Sequence, residues 1–239
     1  MDAKTKVIII GAGFGGMRAA QRLAGAAVQL TLIDRRNYHL FQPLLYQVAT
    51  AGISPHEIAY PVRAIFRKQR NLNFLLAEVS GVDFDQRVVH TDQGDQAYDY
   101  LIVATGAANS FYGQESIAHN ALTLKDVGDA VQVRNHLLKM FELAAHEMDP
   151  DQRRALLTFA LAGGGPTGVE SAGAFSELIR LVLRRDHPHL NLDDVHIILL
   201  EAADALLAGF PPKLQENALK VLKAKHVEVR TGARVAGFD

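Results

Sequence analysis

The sequence predicts an α/β fold made of two Rossmann-like dinucleotide-binding units, with the second unit incomplete. Twice in 239 residues, an apolar run leads into a glycine-rich turn and then into a stretch of helix formers, and each time a second apolar run ends on an acidic residue. This order is much more specific than a glycine pattern alone, which also occurs in ordinary α/β turns. We expect one unit over residues 1–150, with a small β-hairpin insertion, and another over residues 151–239.

The first motif extends from Lys6 to Asp34. Gly11 allows a tight turn off the strand, Gly13 allows the backbone to approach a pyrophosphate, and Gly16 allows the helix to pack closely on the sheet. The start of the helix offers free N–H groups to phosphates, and Asp34 is placed to accept hydrogen bonds from a ribose. The predicted cofactor-binding residues of this motif are Gly11, Gly13, Phe14, Gly15, Gly16, Asp34 and Arg35.

Composition excludes several classes of function. The net charge of −1 shows no basic footprint for nucleic acid or an anionic membrane. The absence of cysteine excludes thiolate metal sites, iron–sulfur clusters and disulfide chemistry by these residues, and the ten histidines are scattered, so we expect no metal site. No apolar run approaches the length of a membrane span, and no signal pattern opens the chain, so we expect a soluble protein on the cytoplasmic side.

The stretch after the first motif, residues 37–50, is too aromatic and apolar for a solvated loop, yet has no clean period. It is predicted to pack over a ligand, with a core-filling connection as the alternative. Ser54 to Glu57 predicts a capped helix with proline at its first position, bent at Pro61 and continuing through Phe66.

Strands are predicted next, over 71–79 with an extended continuation at 82–84, and over 87–91 and 96–103. The last two are joined by the polar turn 92–95 as a hairpin. The final strand ends in small residues that allow a ligand to approach the backbone. The predicted cofactor contacts here are Val79, Ala104, Thr105 and Gly106.

Asp126 is predicted to cap a long helix that Asp149-Pro150 ends, and we place the crossing between units there. The second motif follows as a strand over 155–161, a turn over 163–168, a helix over 169–183 and a strand over 195–200. Its terminal acid, Glu201, comes 33 residues after Gly168, against a usual spacing of about 20, because of a polar insert. The carboxylate favours NAD over NADP. The predicted contacts are Gly163, Gly165, Pro166, Thr167, Gly168 and Glu201.

Glu170 is the predicted catalytic residue. We expect it in the first turn of the second motif's helix, where a carboxylate gains from the helix dipole. It would guide the nicotinamide carboxamide or a proton, and the alternative is a simple helix-start acid. Two dinucleotide motifs in one chain are the arrangement of a flavoprotein that transfers hydride from nicotinamide to flavin.

These motifs resemble the two-dinucleotide-binding flavoproteins, and among them the type II NADH:quinone dehydrogenases. The segment Asn37-Tyr38-His39-Leu40-Phe41-Gln42-Pro43-Leu44-Leu45-Tyr46-Gln47-Val48-Ala49-Thr50 is similar to that family, as are residues 165–170 and 199–211. The resemblance covers essentially the whole chain. It implies an FAD-containing enzyme that oxidises NADH and reduces a membrane quinone in a respiratory chain, without pumping protons. It also implies that Gln42 lies towards the flavin ring, that Ala104-Thr105-Gly106 contacts FAD, and that Glu170 lies near the reacting rings.

Members of that family continue past the point where this sequence stops, into a flavin-closing motif and amphipathic membrane helices. We therefore expect an N-terminal portion whose complete form is peripheral on the cytoplasmic face of the inner membrane, with a homodimer as one arrangement. Two alternatives stay open: a soluble reductase of the ferredoxin- or rubredoxin-reductase type, and a non-catalytic dinucleotide-binding fragment. Sulfide:quinone and disulfide reductases need cysteines that are missing here.

Overall fold

The computed structural model describes residues 5–238 of the chain. Strands and helices alternate along most of it, which confirms the predicted α/β class. In chain order the elements are β1 (Thr5–Ile10), α1 (Phe14–Arg22), β2 (Val28–Asp34), β3 (Tyr38–Leu40), α2 (Leu45–Ala49), α3 (Pro55–Ile58), β4 (Ala59–Pro61), α4 (Val62–Ile65), β5 (Leu72–Leu76), β6 (Val79–Asp83), β7 (Val88–Thr91), β8 (Gln96–Ala97), β9 (Tyr100–Val103), α5 (Glu115–Asn120), α6 (Val127–His146), α7 (Pro150–Leu156), β10 (Thr158–Ala162), α8 (Pro166–Leu178), α9 (Arg184–Asp186), β11 (His196–Leu200), α10 (Pro212–Ala224) and β12 (Val227–Arg230).

The described residues form two compact units. The first comprises the chain up to Phe41 together with His56–Ala108, and the second comprises Gln42–Pro55 together with the chain from Asn109 onward. The expected division near residue 150, between an FAD-binding and an NADH-binding domain, stays a prediction.

The first unit is built on a parallel sheet in the order β5-β2-β1-β9. The central strands β1 and β2 are apolar and largely buried, because helices and loops cover both faces of a parallel sheet, whereas the edge strands β5 and β9 each carry exposed residues. Helix α1 packs on one face, where Met17 and Ala20 join Ile9, Leu32 and Phe74 in a buried cluster. Strand order reverses between β1 and β9, and the crevice at the carboxyl ends of two such strands is where α/β sheets bind ligands.

The strands that follow β5 differ from the prediction. The strand expected over 71–79 ends at Leu76, and Val79 instead begins β6 of a separate antiparallel sheet, β6-β7-β8. The strand expected over 96–103 is split, because Gln96–Ala97 pairs antiparallel with β7 while Tyr100–Val103 pairs parallel with β1. A polar break at Asp99 lets the chain change sheets, and Asp99 is anchored by accepting a hydrogen bond from the Lys6 N–H at 2.6 Å.

The helix expected from Ser54 through Phe66 is also wrong in part. It begins at Pro55 as predicted, but Ala59–Pro61 forms a strand that pairs with β3 and separates α3 from α4. Pro61 cannot donate a helical hydrogen bond, and an edge strand tolerates that loss. The resulting two-stranded ribbon supports His39, whose register partner is Tyr60.

The second unit carries a parallel sheet in the order β10-β11-β12. Helices α6, α8 and α10 contribute Phe141, Phe175 and Leu222 to its large buried core. The predicted cap of α6 is confirmed: Asp126 and Asp129 form a reciprocal capping box.

The end of α6 was predicted wrongly. The helix stops at His146, and Asp149-Pro150 starts α7 instead, with Asp149 as its N-cap. The residues expected to begin the next strand are therefore helical up to Leu156, and β10 begins at Thr158. Pro is favoured at the first helical position, so the same dipeptide that can follow one helix can begin another.

Candidate dinucleotide-binding sites

The glycine-rich loop after β1 requires glycine at Gly11 and Gly16. Gly11 has φ of +101°, and a Cβ there would lie 2.3 Å from the carbonyl oxygen of Ala104. A Cβ on Gly16 would lie 1.8 Å from the carbonyl oxygen of Gly11. The first glycine thus permits the turn, and the last permits the close approach of α1 to it.

Gly13 has no such structural requirement. It caps α1 with φ of −73° and ψ of −169°, an extended conformation that any residue can adopt. A Cβ on Gly13 would meet nothing within 4 Å. The chain's own packing therefore gives no reason for glycine at this position, whereas a ligand lying against the loop would give one.

Asp34, at the end of β2, is bonded to the loop itself. Its Oδ2 accepts a hydrogen bond from the Ala12 N–H at 2.7 Å, and its Oδ1 accepts one from the Arg36 N–H at 2.8 Å. A carboxylate has capacity for about four such bonds, so Asp34 can still accept from a ribose hydroxyl. Its geometry assigns it a second task, which is to hold the loop against the end of β2.

The end of β9 lies against the same loop. The Ala104 N–H donates to the Ile10 carbonyl at 2.8 Å, which continues the pairing of β1 with β9. The Ala104 side chain faces the loop, because a Cβ on Gly15 would lie 3.7 Å from it. Thr105 and Gly106 come directly afterwards, with Gly106 at φ of +75°. The structure therefore brings Ala104 together with the predicted residues of the first motif.

The loop after β10 repeats this geometry closely. Gly163 has φ of +108°, and Gly165 caps α8 at φ of −72° and ψ of −177° with open space around a Cβ. A Cβ on Gly168 would lie 1.8 Å from the Gly163 carbonyl oxygen. Pro166 and Thr167 occupy the first two positions of α8 and are exposed. Two loops of unrelated flanking sequence thus share one backbone conformation.

Glu201 repeats the role of Asp34 with a longer side chain. Its Oε2 accepts from the Gly164 N–H at 2.5 Å and its Oε1 from the Ala203 N–H at 2.7 Å. A Cβ on Gly164 would lie 2.9 Å from that Oε2 and 2.6 Å from the side chain of Leu206. Position 12 of the first loop holds alanine, where the acid is the shorter aspartate. In the first loop the Ala12 methyl group fills this space. In the second loop the Glu201 side chain, which is longer by one methylene, and the Leu206 side chain fill it at Gly164.

Glu170 does not lie in the first turn of its helix. Because α8 begins at Pro166, Glu170 is the fifth helical residue, and the first turn contains no acid. The expected gain from the helix dipole is therefore small, since that effect is confined to the terminal turn. Glu170 is exposed, yet partial burial of its carboxyl raises its pKa above the ordinary value. A carboxyl with a raised pKa is a better proton carrier than an ordinary glutamate, and its catalytic role stays a prediction.

Three predicted residues lie outside the two glycine-rich loops. Arg35 follows Asp34 and is exposed. Val79 begins β6 and packs against a buried cluster that includes Ile10. Gln42 belongs to the second unit, where its Nε2 donates to the Lys125 carbonyl at 3.5 Å. Their roles in cofactor binding stay predictions.

Two residues of the loop environment were not predicted. In the first unit, His39 Nδ1 lies 3.0 Å from the carbonyl oxygen of Ala12. In the second, the Leu207 N–H donates to the Gly164 carbonyl at 2.8 Å, with Leu207 at φ of +53°. Neither residue follows a spacing rule, because the segment after the acidic residue can return to the loop in many ways. His39 was marked only as part of residues 37–50, by the aromatic and apolar character of that segment and by its similarity to a known family.

Residues 5–238 contain no group of three His, Cys, Asp or Glu side chains placed to hold a metal ion. Within that same range, no helix combines the length and apolar character needed to cross a bilayer.

The chain belongs to the pyridine nucleotide-disulphide oxidoreductase family, whose sequence pattern matches residues 5–239. The duplicated loop and acid agree with this assignment, since one Rossmann unit binds one dinucleotide. The disulphide in the family's description has no counterpart here, because the 239 residues include no cysteine.

Within that family the chain is homologous to type II NADH:quinone oxidoreductases. It is 44% identical to Ndh of Mycobacterium tuberculosis over 98% of this chain and 51% of that protein. It is 31% identical to the external alternative NADH-ubiquinone oxidoreductase of Yarrowia lipolytica mitochondria, over 99% of this chain and 43% of that protein. The chain spans about half the length of the curated relatives it matches.

The solved structure of NDH2 from Plasmodium falciparum in complex with NADH matches the fold with a TM-score of 0.93 and 26% identity. The match covers 99% of this chain and 50% of that one. The ferredoxin reductase from Rhodopseudomonas palustris matches with a TM-score of 0.73 at 17% identity, which shows a shared fold alone.

Proposed function

We propose that the protein is an FAD-dependent NADH dehydrogenase that passes hydride from NADH to FAD and electrons to a quinone without pumping protons. The observation that carries this proposal is the duplicated loop. Both copies leave an N-cap glycine, Gly13 and Gly165, with no packing reason to be glycine. Two dinucleotides side by side are what hydride transfer between nicotinamide and flavin requires.

FAD fits the first unit by the chemistry of the residues present. Residues 5–238 provide no acceptor for the Gly13 N–H, which is therefore available to a phosphate oxygen at the start of α1. Asp34 retains acceptor capacity for the ribose. Bound FAD would supply the hydride-accepting chemistry, and this chain would hold the adenosine half through Gly11, Gly13, Gly16 and Asp34 and meet the cofactor from the sheet side through Ala104.

NADH fits the second unit in the same way. Gly163, Gly165 and Gly168 shape the loop, and Glu201 offers its remaining acceptor capacity to a ribose hydroxyl. A carboxylate at this position disfavours the 2′-phosphate of NADPH, and no arginine follows it directly. We therefore propose NADH as the electron donor, with Glu170 guiding the carboxamide or a proton near the nicotinamide.

The similarity to quinone-reducing relatives favours a quinone over a protein as the electron acceptor. Relatives between 31% and 44% identical are described as NADH:quinone or NADH-ubiquinone oxidoreductases. The ferredoxin reductase from Rhodopseudomonas palustris shares only the fold. A homodimer, and attachment to the cytoplasmic face of the inner membrane in a respiratory chain, are part of the same proposal.

The flavin content of the purified 239-residue chain tests the proposal first, by visible absorbance and by FAD released on heating. Stoichiometric FAD that NADH bleaches without oxygen, followed by NADH oxidation with a soluble quinone, is the expected result. Flavin without bleaching would support a non-catalytic dinucleotide-binding chain instead. A chain that takes up neither FAD nor NADH would refute cofactor binding by these loops.

A further inference from the structure

The side chain of His39 also holds the first glycine loop, in addition to that of Asp34. Its Nδ1 lies 3.0 Å from the Ala12 carbonyl oxygen. A carbonyl can only accept, so Nδ1 carries the proton and donates. Ala12 is 2% exposed, which shields this hydrogen bond from competition with water.

The bond fixes the direction of the Gly13 N–H at the start of α1. The Ala12 carbonyl and the Gly13 N–H belong to one peptide plane, and in a trans peptide they point in opposite directions. Holding the carbonyl against His39 therefore turns the Gly13 N–H away from the ring. That N–H has no acceptor within residues 5–238.

His39 is itself held in place from two sides. Strand β3 pairs it with Tyr60, so its backbone cannot move freely. The ring of Phe14 packs edge-on against the imidazole at 5.0 Å between centroids, and against Phe41 at 5.6 Å. Phe14 is the first residue of α1, so this contact joins the imidazole to the helix that the loop opens.

In the second unit a different donor bonds the corresponding loop carbonyl. Gly164 corresponds to Ala12, and its carbonyl accepts from the Leu207 backbone N–H at 2.8 Å. Leu207 adopts φ of +53°, a left-handed conformation that non-glycine residues rarely occupy. A matching bond, made once by a side chain and once by a strained backbone, indicates that the orientation of this peptide matters in both loops.

We propose that His39 is a positioning residue of the first dinucleotide site, which holds the Ala12–Gly13 peptide with its N–H directed to the pyrophosphate of FAD. The identity of the ligand rests on the proposed function, but the orientation of the peptide does not. Without the bond the loop populates other conformations, and the apparent affinity falls in proportion to the competent fraction.

A matched pair of amide variants tests the role of the donor atom. In His39→Asn the side-chain N–H lies near the position of Nδ1, whereas in His39→Gln it reaches past that position. We expect His39→Asn to bind FAD within about threefold of wild type. We expect His39→Gln to bind roughly tenfold more weakly, the effect of losing one buried hydrogen bond. His39→Phe keeps the ring without the donor and should resemble His39→Gln.

Equal FAD affinity in all variants would overturn the proposal, and so would equal weakening in His39→Asn and His39→Gln. Binding of NADH to the second unit serves as the control for folding and should not change. The Ala12 carbonyl carbon and Gly13 amide NMR signals of the FAD-free chain give a second readout. They should stay in place in His39→Asn and move in His39→Gln. If wild type takes up no FAD, the proposed function fails for this chain, while these signals still decide whether His39 holds the peptide.

Discussion

Replacing Gly13 by alanine should weaken FAD binding at the first loop while leaving the free energy of unfolding nearly unchanged. The backbone of Gly13, at φ of −73°, suits alanine, and the added Cβ would meet nothing within 4 Å. Restricting the unfolded chain stabilises the protein by about 0.4–1 kcal/mol. Alanine is a poorer N-cap than glycine by a similar amount, about 0.5–1 kcal/mol. The free energy of unfolding should therefore stay within about 1 kcal/mol of wild type.

FAD binding should respond quite differently. The methyl group would occupy the open space beside the loop, where the pyrophosphate is proposed to lie. Forcing one extra methyl into a packed contact costs about 1–3 kcal/mol, which corresponds to roughly 5- to 150-fold weaker binding. Quenching of FAD fluorescence on titration with the FAD-free protein measures this change, and urea unfolding of the same sample measures stability.

Gly16→Ala is the matched control. Its Cβ would lie 1.8 Å from the Gly11 carbonyl oxygen, a backbone atom that cannot move without opening the turn. We expect a loss of at least about 3 kcal/mol in the free energy of unfolding. Wild-type FAD affinity in Gly13→Ala would refute the inference that this glycine is kept for a ligand, as would a stability loss as large as that of Gly16→Ala.

Three further predictions concern the second unit. Glu170→Gln should lower NADH turnover while FAD stays bound, measured as steady-state NADH oxidation; unchanged turnover would reduce Glu170 to an ordinary helix residue. Gly164→Ala should lower stability by about 1–3 kcal/mol and weaken NADH binding, because its Cβ would lie 2.6 Å from the Leu206 side chain; an unchanged melting temperature would contradict this. Asp126→Ala removes the acceptor for the Asp129 N–H at 3.0 Å and should cost about 1 kcal/mol in urea unfolding, with a loss below the error of the method as the contrary result.

The sequence alone was sufficient to predict the fold class and the two loops. Glycines, terminal acids and apolar strands leave local patterns in the sequence. The tight turn at Gly11 and the close approach of α1 to it at Gly16 each restrict the residue type directly. The cap of α6 was predictable for the same reason, since a side chain at Asp126 bonds a backbone group three residues away.

The errors arose where distant segments decide the local structure. Residues 96–103 have the pattern of one strand, but Gln96–Ala97 pairs with β7 in one sheet and Tyr100–Val103 pairs with β1 in another. Pro61 looks like a bend in a helix, but pairing with β3 turns its neighbours into a strand. Asp149-Pro150 can follow one helix or begin another, and the packing of both helices decides between these outcomes.

The sequence by itself therefore determined which residues form the loops, which acids end the strands, and that there are two such arrangements. Only the tertiary structure decided how the loops are held. The bond from His39 to Ala12 spans 27 residues and the bond from Leu207 to Gly164 spans 43. Such contacts depend on how the chain returns after the acidic residue, and no local pattern of residue types specifies that path.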